Sequence, residues 1–430
     1  MIASPAFAGK SYAVYGLARS GLATVEALLA SGANVMAWDE KPEARQALRS
    51  GDENLRIADP LSTSIYGFAG LVVSPGVPIN RHPIAARARE AKVPLIGDIE
   101  LFAQARASLP PHKVVGITGT NGKSTTTALV HHILKTAGIP TTMGGNIGLP
   151  ILAQDPLPEG GVYVLELSSY QIDLTRSLDC DVAALLNVTP DHLDRYDDMD
   201  DYAGSKARLF AMQSPGHAAV IATDDDYTRA ISLSDLVVAR RVGVSSTLIT
   251  DTSAWPALRG PHNAQNLAVA TAICWELGVP QDAINEGLAT YPGLPHRMER
   301  VREKDGVLFV NDSKATNPEA AAPALAAYQG IHWILGGRAK GADLGPCARY
   351  LDHVRAAYTI GEAGEMFAKL LRPSLPVEEC GVLDAAVSAA AGAAKAGEVV
   401  LLSPACASFD QFKDYEARGE AFRAEVEALA

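Results

Sequence analysis

The chain has 430 residues, of which 48% are hydrophobic and 20% charged, a globular balance in a chain too long for one core, so about three domains are expected. A net charge of −12 argues against nucleic acid or an anionic membrane as the main partner, while leaving room for a local basic site. The five cysteines, at 180, 274, 347, 380 and 406, are scattered, odd in number and without metal-ligand spacing, and read as reduced thiols.

Residues 1–8 carry no basic region ahead of their apolar residues, and no apolar run approaches the ~20 residues of a membrane span. A cytoplasmic location without membrane insertion is the expectation. Residues 11–15 predict a strand, Gly16-Leu17-Ala18-Arg19-Ser20-Gly21 a turn, residues 22–30 a helix stopped at Gly32, and residues 34–39 a second strand ending in Asp39. This is a βαβ unit of the dinucleotide-binding type, although Ala18 stands where the second glycine of the usual fingerprint belongs, which weakens the case for a nicotinamide cofactor. A nucleotide here would put its pyrophosphate at the turn and its sugar or base near Asp39. A further apolar strand, 71–77, runs through Ser74 and Gly76 into a tight turn lining the same crevice. A purely structural Rossmann-like domain is the alternative. Residues 108–112, with two prolines, read as a linker, so the first domain spans 1–108.

Next comes Gly119-Thr120-Asn121-Gly122-Lys123-Ser124-Thr125, between the β-branched run 113–115 and an apolar-faced helix. Glycines there let the backbone approach an anion, the helix start offers N–H groups, and Lys123 adds a full charge for phosphates. Ser124 is placed to offer a hydroxyl to Mg²⁺. Ile117 replaces the first glycine of the strict Walker pattern, so this is a variant phosphate loop. The same strand-to-helix turn could also be merely glycine-rich.

Residues 143–148 form a glycine-rich loop carrying Asn146. The apolar strand 162–169 buries Glu166, which needs a partner: a metal ion near the phosphates, or an ion pair. Ser168 follows it. The strand 182–188 delivers Asp191 and His192 to the end of a parallel sheet, where ligands lie. On the helix 201–212, Lys206 shares a face with Tyr202, Leu209 and Phe210. An inward lysine snorkels, pairs with an acid, or loses its proton through burial. The acidic run 224–226 reads as a ligand loop or a solvated turn. Asn263 and Asn266 lie three apart at the opening of a helix over 267–277 and could read a base edge or cap that helix.

Residues 291–297 look like a hinge ending in Arg297, which sets the central domain at 109–295 and a third at 296–430. In the third, strand ends deliver Asp312, Lys314 and Thr316, then Lys340, then Ser408. Cations and hydroxyls at three strand ends suggest a site for a small anion. Asn317-Pro318 predicts a helix start.

Together, the phosphate loop at 119–125, Glu-Leu-Ser-Ser-Tyr-Gln at 166–171, Asp-His-Leu-Asp-Arg-Tyr at 191–196, His-Asn-Ala-Gln-Asn at 262–266, Pro-His-Arg at 295–297, Asn-Asp-Ser-Lys-Ala-Thr-Asn at 311–317 and Leu-Ser-Pro-Ala-Cys-Ala-Ser-Phe-Asp-Gln-Phe at 402–412 resemble the Mur ligases of peptidoglycan synthesis across the whole chain. The resemblance implies three α/β domains: a Rossmann-like N-terminal domain, a central P-loop ATPase-like domain with a parallel sheet, and a C-terminal Rossmann-like domain. It implies an ATP-dependent amide ligation, in which the carboxylate of UDP-N-acetylmuramoyl-L-alanine becomes an acyl phosphate and D-glutamate attacks it, and a monomer is the expectation. Gly119 to Thr125, Asn263, Asn266, Arg297 and Asp312 would hold ATP. Gly16, Leu17, Ala18, Ser74, Gly76, Asn146, Ser168 and His192 would hold the UDP substrate. Lys314, Thr316, Lys340, Ser408 and Tyr415 would hold D-glutamate. Ser124, Glu166, His192 and Lys206, the last carbamylated by CO₂, would serve two Mg²⁺ ions, with Lys123, Asn146, His192 and Lys206 as the catalytic set. A folylpolyglutamate synthase-like ligase, a simple kinase acting on a small acid and a silent nucleotide sensor are the rivals.

Overall fold

The computed structural model describes residues 1–48, 51–191, 194–258, 260 and 262–429. Three sheets follow one another along the chain. The first is built from β1 (Ser11–Tyr15), β2 (Asn34–Trp38), β3 (Leu55–Ile57), β4 (Gly70–Val73) and β5 (Leu95–Ile96), with α1 (Arg19–Ala30), α2 (Pro42–Gln46), α3 (Ile84–Ala91) and α4 (Asp98–Ala105) between and after them. Its order is β3-β2-β1-β4-β5, all parallel. Strand order reverses between β1 and β4, which is where an open parallel sheet leaves a crevice for ligand.

The second sheet contains β6 (His112–Thr118), β7 (Thr141–Gly145), β8 (Gly161–Glu166), β9 (Val182–Leu185), β10 (Ala218–Ala222) and β11 (Arg240–Val244). It is parallel throughout in the order β11-β10-β9-β6-β8-β7. Strands β8, β9 and β10 are buried at every position, as expected when helices cover both faces of a parallel sheet. The covering helices are α5 (Lys123–Thr136), α6 (Ser169–Asp173), α7 (Met199–Ala211), α8 (Asp226–Leu233), α9 (His262–Glu276) and α10 (Gln281–Thr290).

In the third sheet β12 (Glu299–Lys304) runs antiparallel to β13 (Val307–Asn311), and β14 (Ile331–Gly336), β15 (Val354–Ile360), β16 (Val377–Gly381) and β17 (Val399–Leu402) are parallel to the rest. The order is β12-β13-β17-β14-β15-β16. Helices α11 (Pro318–Ala327), α12 (Gly364–Leu371), α13 (Leu383–Ala393) and α14 (Tyr415–Ala428) complete it. Asn317 caps α11 by accepting from Ala320 N at 2.8 Å, with Pro318 at the first helical position.

The chain forms two compact units, 1–250 with 265–289, and 251–264 with 290–430. The first two sheets share a unit because their cores are continuous. One cluster runs from Ile2 and Tyr12 through Phe102 and Tyr163 to Val237, and the Phe102 and Tyr163 rings meet edge to face at 5.0 Å. The linker read at 108–112 lies within this unit. Among the described residues no helix is long and apolar enough to cross a membrane.

Candidate functional site

The strand β6 ends at Thr118 and the helix α5 begins at Lys123, leaving four residues to turn the chain. Gly119 and Gly122 take φ of +152° and +82°, a region in which glycine meets no Cβ penalty. A Cβ on Gly122 would also collide with Asn266 Oδ1, so the sequence needs glycine there for two reasons. Asn266, buried on α9, accepts in addition from Thr126 Oγ1 at 3.3 Å. It therefore backs the phosphate loop. Asn263 is buried one turn earlier on α9, which begins at His262 rather than near 267.

Lys123 Nζ folds over the loop and donates to the carbonyls of Gly119 at 2.8 Å and Thr120 at 2.7 Å. Thr120 Oγ1 bonds Thr189 at both backbone groups and lies 3.2 Å from Tyr202 Oη. Ser124 is buried at the second helical position, and Thr125 follows it, half-buried.

Glu166 ends β8 and is 2% exposed. Asn146 donates to it twice, from its backbone N to the Glu166 carbonyl at 2.8 Å and from Nδ2 to Oε1 at 3.0 Å. The other carboxylate oxygen, Oε2, is buried with no hydrogen-bond partner. A buried orphan acceptor of this kind costs about 1–3 kcal/mol, and a hard cation satisfies it. Among the described residues no three His, Cys, Asp or Glu side chains cluster as a metal cage. The donor set fits Mg²⁺, which takes one or two protein oxygens and completes its shell with phosphates and water. His192 lies outside the described residues.

Lys206 is 1% exposed, on the same buried face of α7 as Tyr202, Leu209 and Phe210. Its Nζ donates to Gly119 O at 3.0 Å and sits 4.4 Å from the centroid of the Tyr202 ring. Burial holds its pKa well below that of an ordinary lysine, and the neighbouring charge of Lys123 pushes it further down. Of the three readings of this inward lysine, burial excludes snorkelling into solvent, and it disfavours the charged form of the amine.

At the crevice of the first sheet, Ser74 Oγ donates to Gly16 O at 2.8 Å and Leu17 N donates to Asp39 Oδ2 at 2.6 Å. Gly21 must lack a side chain because its Cβ would strike the Gly16 carbonyl. Ala18 is exposed at the start of α1 without a capping side chain, and Gly76 is exposed beyond β4. Arg19 Nη2 reaches Gly148 O at 3.0 Å, tying this turn to the loop that carries Asn146. Ser168, half-buried, instead caps α6 through a reciprocal capping box with Gln171.

In the second unit, Asp312 is buried after β13, accepting from Met298 N at 3.1 Å and Ser403 Oγ at 2.8 Å. Burial raises its pKa to about 7, against the lowering effect of these bonds and of Arg297. Lys314 Nζ donates to Tyr415 Oη at 3.0 Å and lies over its ring. The loops after β14 and β17 are zipped together by two backbone bonds between Arg338 and Ala407, at 2.8 and 3.0 Å, which sets Ser408 beside the segment leading to exposed Lys340. Thr316 is half-buried between Lys314 and the start of α11.

Two residues outside the expected set hold these loops. Asn187, after β9, clamps the Asn121 peptide: Oδ1 accepts from Asn121 N at 2.8 Å and Nδ2 donates to Asn121 O at 3.2 Å. Arg418, on α14, is 1% exposed and donates to Ser313 Oγ at 3.0 Å, Ser313 O at 2.7 Å and Cys406 O at 3.0 Å. It thereby joins the loop of Lys314 and Thr316 to the loop of Ser408. Burial lowers its pKa to about 10, and its Nη1 is left without a partner. A polar residue closing an apolar strand was the available signal for Asn187, and Arg418 gave none.

Residues 117–236 match the Mur ligase middle domain and residues 296–406 the Mur ligase glutamate ligase domain. The chain is 62% identical over its whole length to a UDP-N-acetylmuramoylalanine–D-glutamate ligase of Novosphingobium aromaticivorans, covering 97% of that protein. It is 60% identical over its whole length to the ligase of the same name from Sphingopyxis alaskensis, all of which it covers. Among solved structures, a UDP-N-acetylmuramate–alanine ligase of Thermotoga maritima aligns over 97% of this chain and 99% of its own with a TM-score of 0.61 at 18% identity. A bifunctional folylpolyglutamate synthase/dihydrofolate synthase of Yersinia pestis aligns over 76% of this chain and 92% of its own, TM-score 0.54 at 19% identity. With a phosphate loop backed by Asn266, a buried lysine and carboxylate beside it, and full-length identity of this order, the chain belongs to the Mur ligase family.

Proposed function

We propose that the protein is an ATP-dependent ligase that joins D-glutamate to UDP-N-acetylmuramoyl-L-alanine, in the cytoplasm and as a monomer. The ligation chemistry is supported above all by the buried Lys206 amine, which meets Lys123 at one carbonyl of the phosphate loop. The substrates follow from the full-length relatives of that name.

A carboxylate oxygen of the alanyl group attacks the γ-phosphorus of ATP, ADP leaves, and an acyl phosphate forms. The amine of D-glutamate then attacks the acyl carbon, loses a proton and expels phosphate. A carboxylate and a triphosphate repel each other, so the site must neutralise several charges and align the reacting atoms. Lys123 and the amides at the start of α5 act on the phosphates. Asn146 orients Glu166 and would face the carboxylate being activated. Ser124, and Glu166 with His192, would hold two Mg²⁺ ions, which would supply the remaining neutralisation. The Lys206 amine, once neutral, would add CO₂ and release a proton to become a carbamate anion able to support the second ion.

Residues 1–108 would take the uridine diphosphate at the Gly16, Leu17, Ala18, Ser74 and Gly76 crevice. Residues 109–295 would take ATP. Residues 296–430 would take D-glutamate through Lys314, Thr316, Lys340, Ser408 and Tyr415.

Phosphate release from ATP and Mg²⁺ with UDP-N-acetylmuramoyl-L-alanine, run with D-glutamate, with L-glutamate and with no amino acid, tests this. Release with D-glutamate alone is the expected result. Release with L-glutamate alone would overturn the named amino acid, and release without any amino acid would turn the ligase into a kinase.

A further inference from the structure

The Asn187 clamp on the phosphate loop is the last link of a longer hydrogen-bonded chain. Gln265 Oε1 accepts from Asn187 Nδ2 at 2.7 Å, and Gln265 Nε2 donates to Asp224 Oδ2 at 2.7 Å. Asp224 is itself fixed by the loop after β11: its Oδ1 accepts from Ser245 Oγ at 2.9 Å, Ser246 N at 3.0 Å and Ser246 Oγ at 3.0 Å. The four side-chain steps therefore join the ends of β11, β10 and β9 and the first turn of α9 to the loop at 119–122, all within one compact unit.

The donor and acceptor sense of this chain is determined. A carboxylate only accepts, so Asp224 compels Gln265 to present its NH₂ group to it. The Gln265 carbonyl is then turned toward Asn187 and compels that amide to present its NH₂. Asn187 Oδ1 is left facing the Asn121 N–H, the one orientation in which its amide pairs with both groups of the Asn121 peptide. A flipped Asn187 would set its NH₂ against the Asn121 N–H and its oxygen against the Asn121 carbonyl.

We propose that Asp224, Gln265 and Asn187 form an orientation relay that holds the phosphate loop in its nucleotide-binding conformation, Asp224 and Gln265 being positioning residues that never touch ATP. The acidic turn at 224–226 thereby acquires a role: Asp225 caps α8 by accepting from Thr228 N at 2.8 Å, while Asp224 sets the polarity of the relay. The assignment rests on the phosphate loop binding ATP.

The test compares the full-length chain with Gln265→Leu, Asp224→Asn and the double variant, by direct ATP titration and by steady-state kinetics. Losing the relay's hydrogen bonds should weaken ATP about five- to tenfold, near the net worth of one or two such bonds. The KM values for D-glutamate and for the UDP-linked substrate should not move, and the thermal midpoint should fall only slightly, because Asp224 is exposed and Gln265 half-buried. The double variant should be no weaker than Gln265→Leu alone, since both changes break one chain. Unchanged ATP affinity in Gln265→Leu, or losses that multiply in the double variant, would overturn the relay while leaving ATP binding intact. Failure of the unmodified chain to bind ATP would remove the nucleotide assignment and the relay with it.

Discussion

Lys123 and Lys206 donate to the same acceptor, the Gly119 carbonyl, at 2.8 and 3.0 Å. Two ammonium groups cannot share one carbonyl cheaply, and burial together with the Lys123 charge pushes the Lys206 pKa down. In the unfolded chain Lys206 titrates near 10.5, so between its lowered folded pKa and that value the unfolded state binds the extra proton. Stability should therefore rise with pH through that window, and Lys206→Met should lack this part of the slope. Added bicarbonate should raise the unfolding midpoint of the unmodified chain and leave that of Lys206→Met where it is. Chemical denaturation at pH 7, 8 and 9, with and without bicarbonate, measures both. Identical slopes would mean that the amine stays protonated in the fold.

Glu166→Gln keeps the size of the side chain and an oxygen for Asn146 while replacing a buried orphan charge by a neutral amide. Without Mg²⁺ the variant should be as stable as the original chain, or more stable by about 1 kcal/mol. Phosphate release should nevertheless fall by a factor on the order of 100 or more. A fall in stability parallel to the fall in activity would make Glu166 a structural residue instead.

Gly122→Ala forces a Cβ into a φ of +82° and against Asn266 Oδ1. Backbone strain of this kind costs about 1–3 kcal/mol, and ATP binding should fall below detection. Adding Asn266→Gly should remove the collision and recover part of the stability without recovering ATP affinity, because the backing of the loop is gone. Denaturant midpoints and nucleotide titration of the two variants separate the contributions.

Arg418→Lys keeps a cation but loses the planar fork that bonds Ser313 and Cys406 together. Loss of three buried hydrogen bonds at about 1 kcal/mol each predicts a destabilisation of about 3 kcal/mol for Arg418→Met, and less for the lysine. In Arg418→Lys the KM for D-glutamate should rise about tenfold with the KM for ATP unchanged. Equal changes in both would separate Arg418 from the amino-acid loops.

Local patterns carried much of this fold in the sequence. An apolar strand, two glycines and Lys-Ser-Thr at a helix start define the turn at 118–123 without distant information. The spacing of Tyr202, Lys206, Leu209 and Phe210 alone placed the lysine inward. What stayed hidden depends on contacts far apart along the chain. Asn187 reaches Asn121 across 66 residues and Arg418 reaches Ser313 across 105, and neither spacing leaves a periodic trace. The sequence places the start of α9 several residues late because His262 and Asn263 look like turn residues, while tertiary burial of Asn263 and Asn266 carries the helix back to His262. The continuity of the first two cores was likewise invisible, since the two prolines after 108 resemble a linker.

The backing of the phosphate loop by Asn266 arrives late in the life of the chain. Thr126 and Asn266 are 140 positions apart, so at ribosomal speed the loop waits on the order of ten seconds for the side chain that supports it. A ribosome-bound fragment that already contains Lys123 has the residues of a nucleotide site but not its rear wall. Competence to hold ATP is thus acquired only after the helix at 262–276 has been made, which ties nucleotide binding to the synthesis of the first 276 of 430 residues.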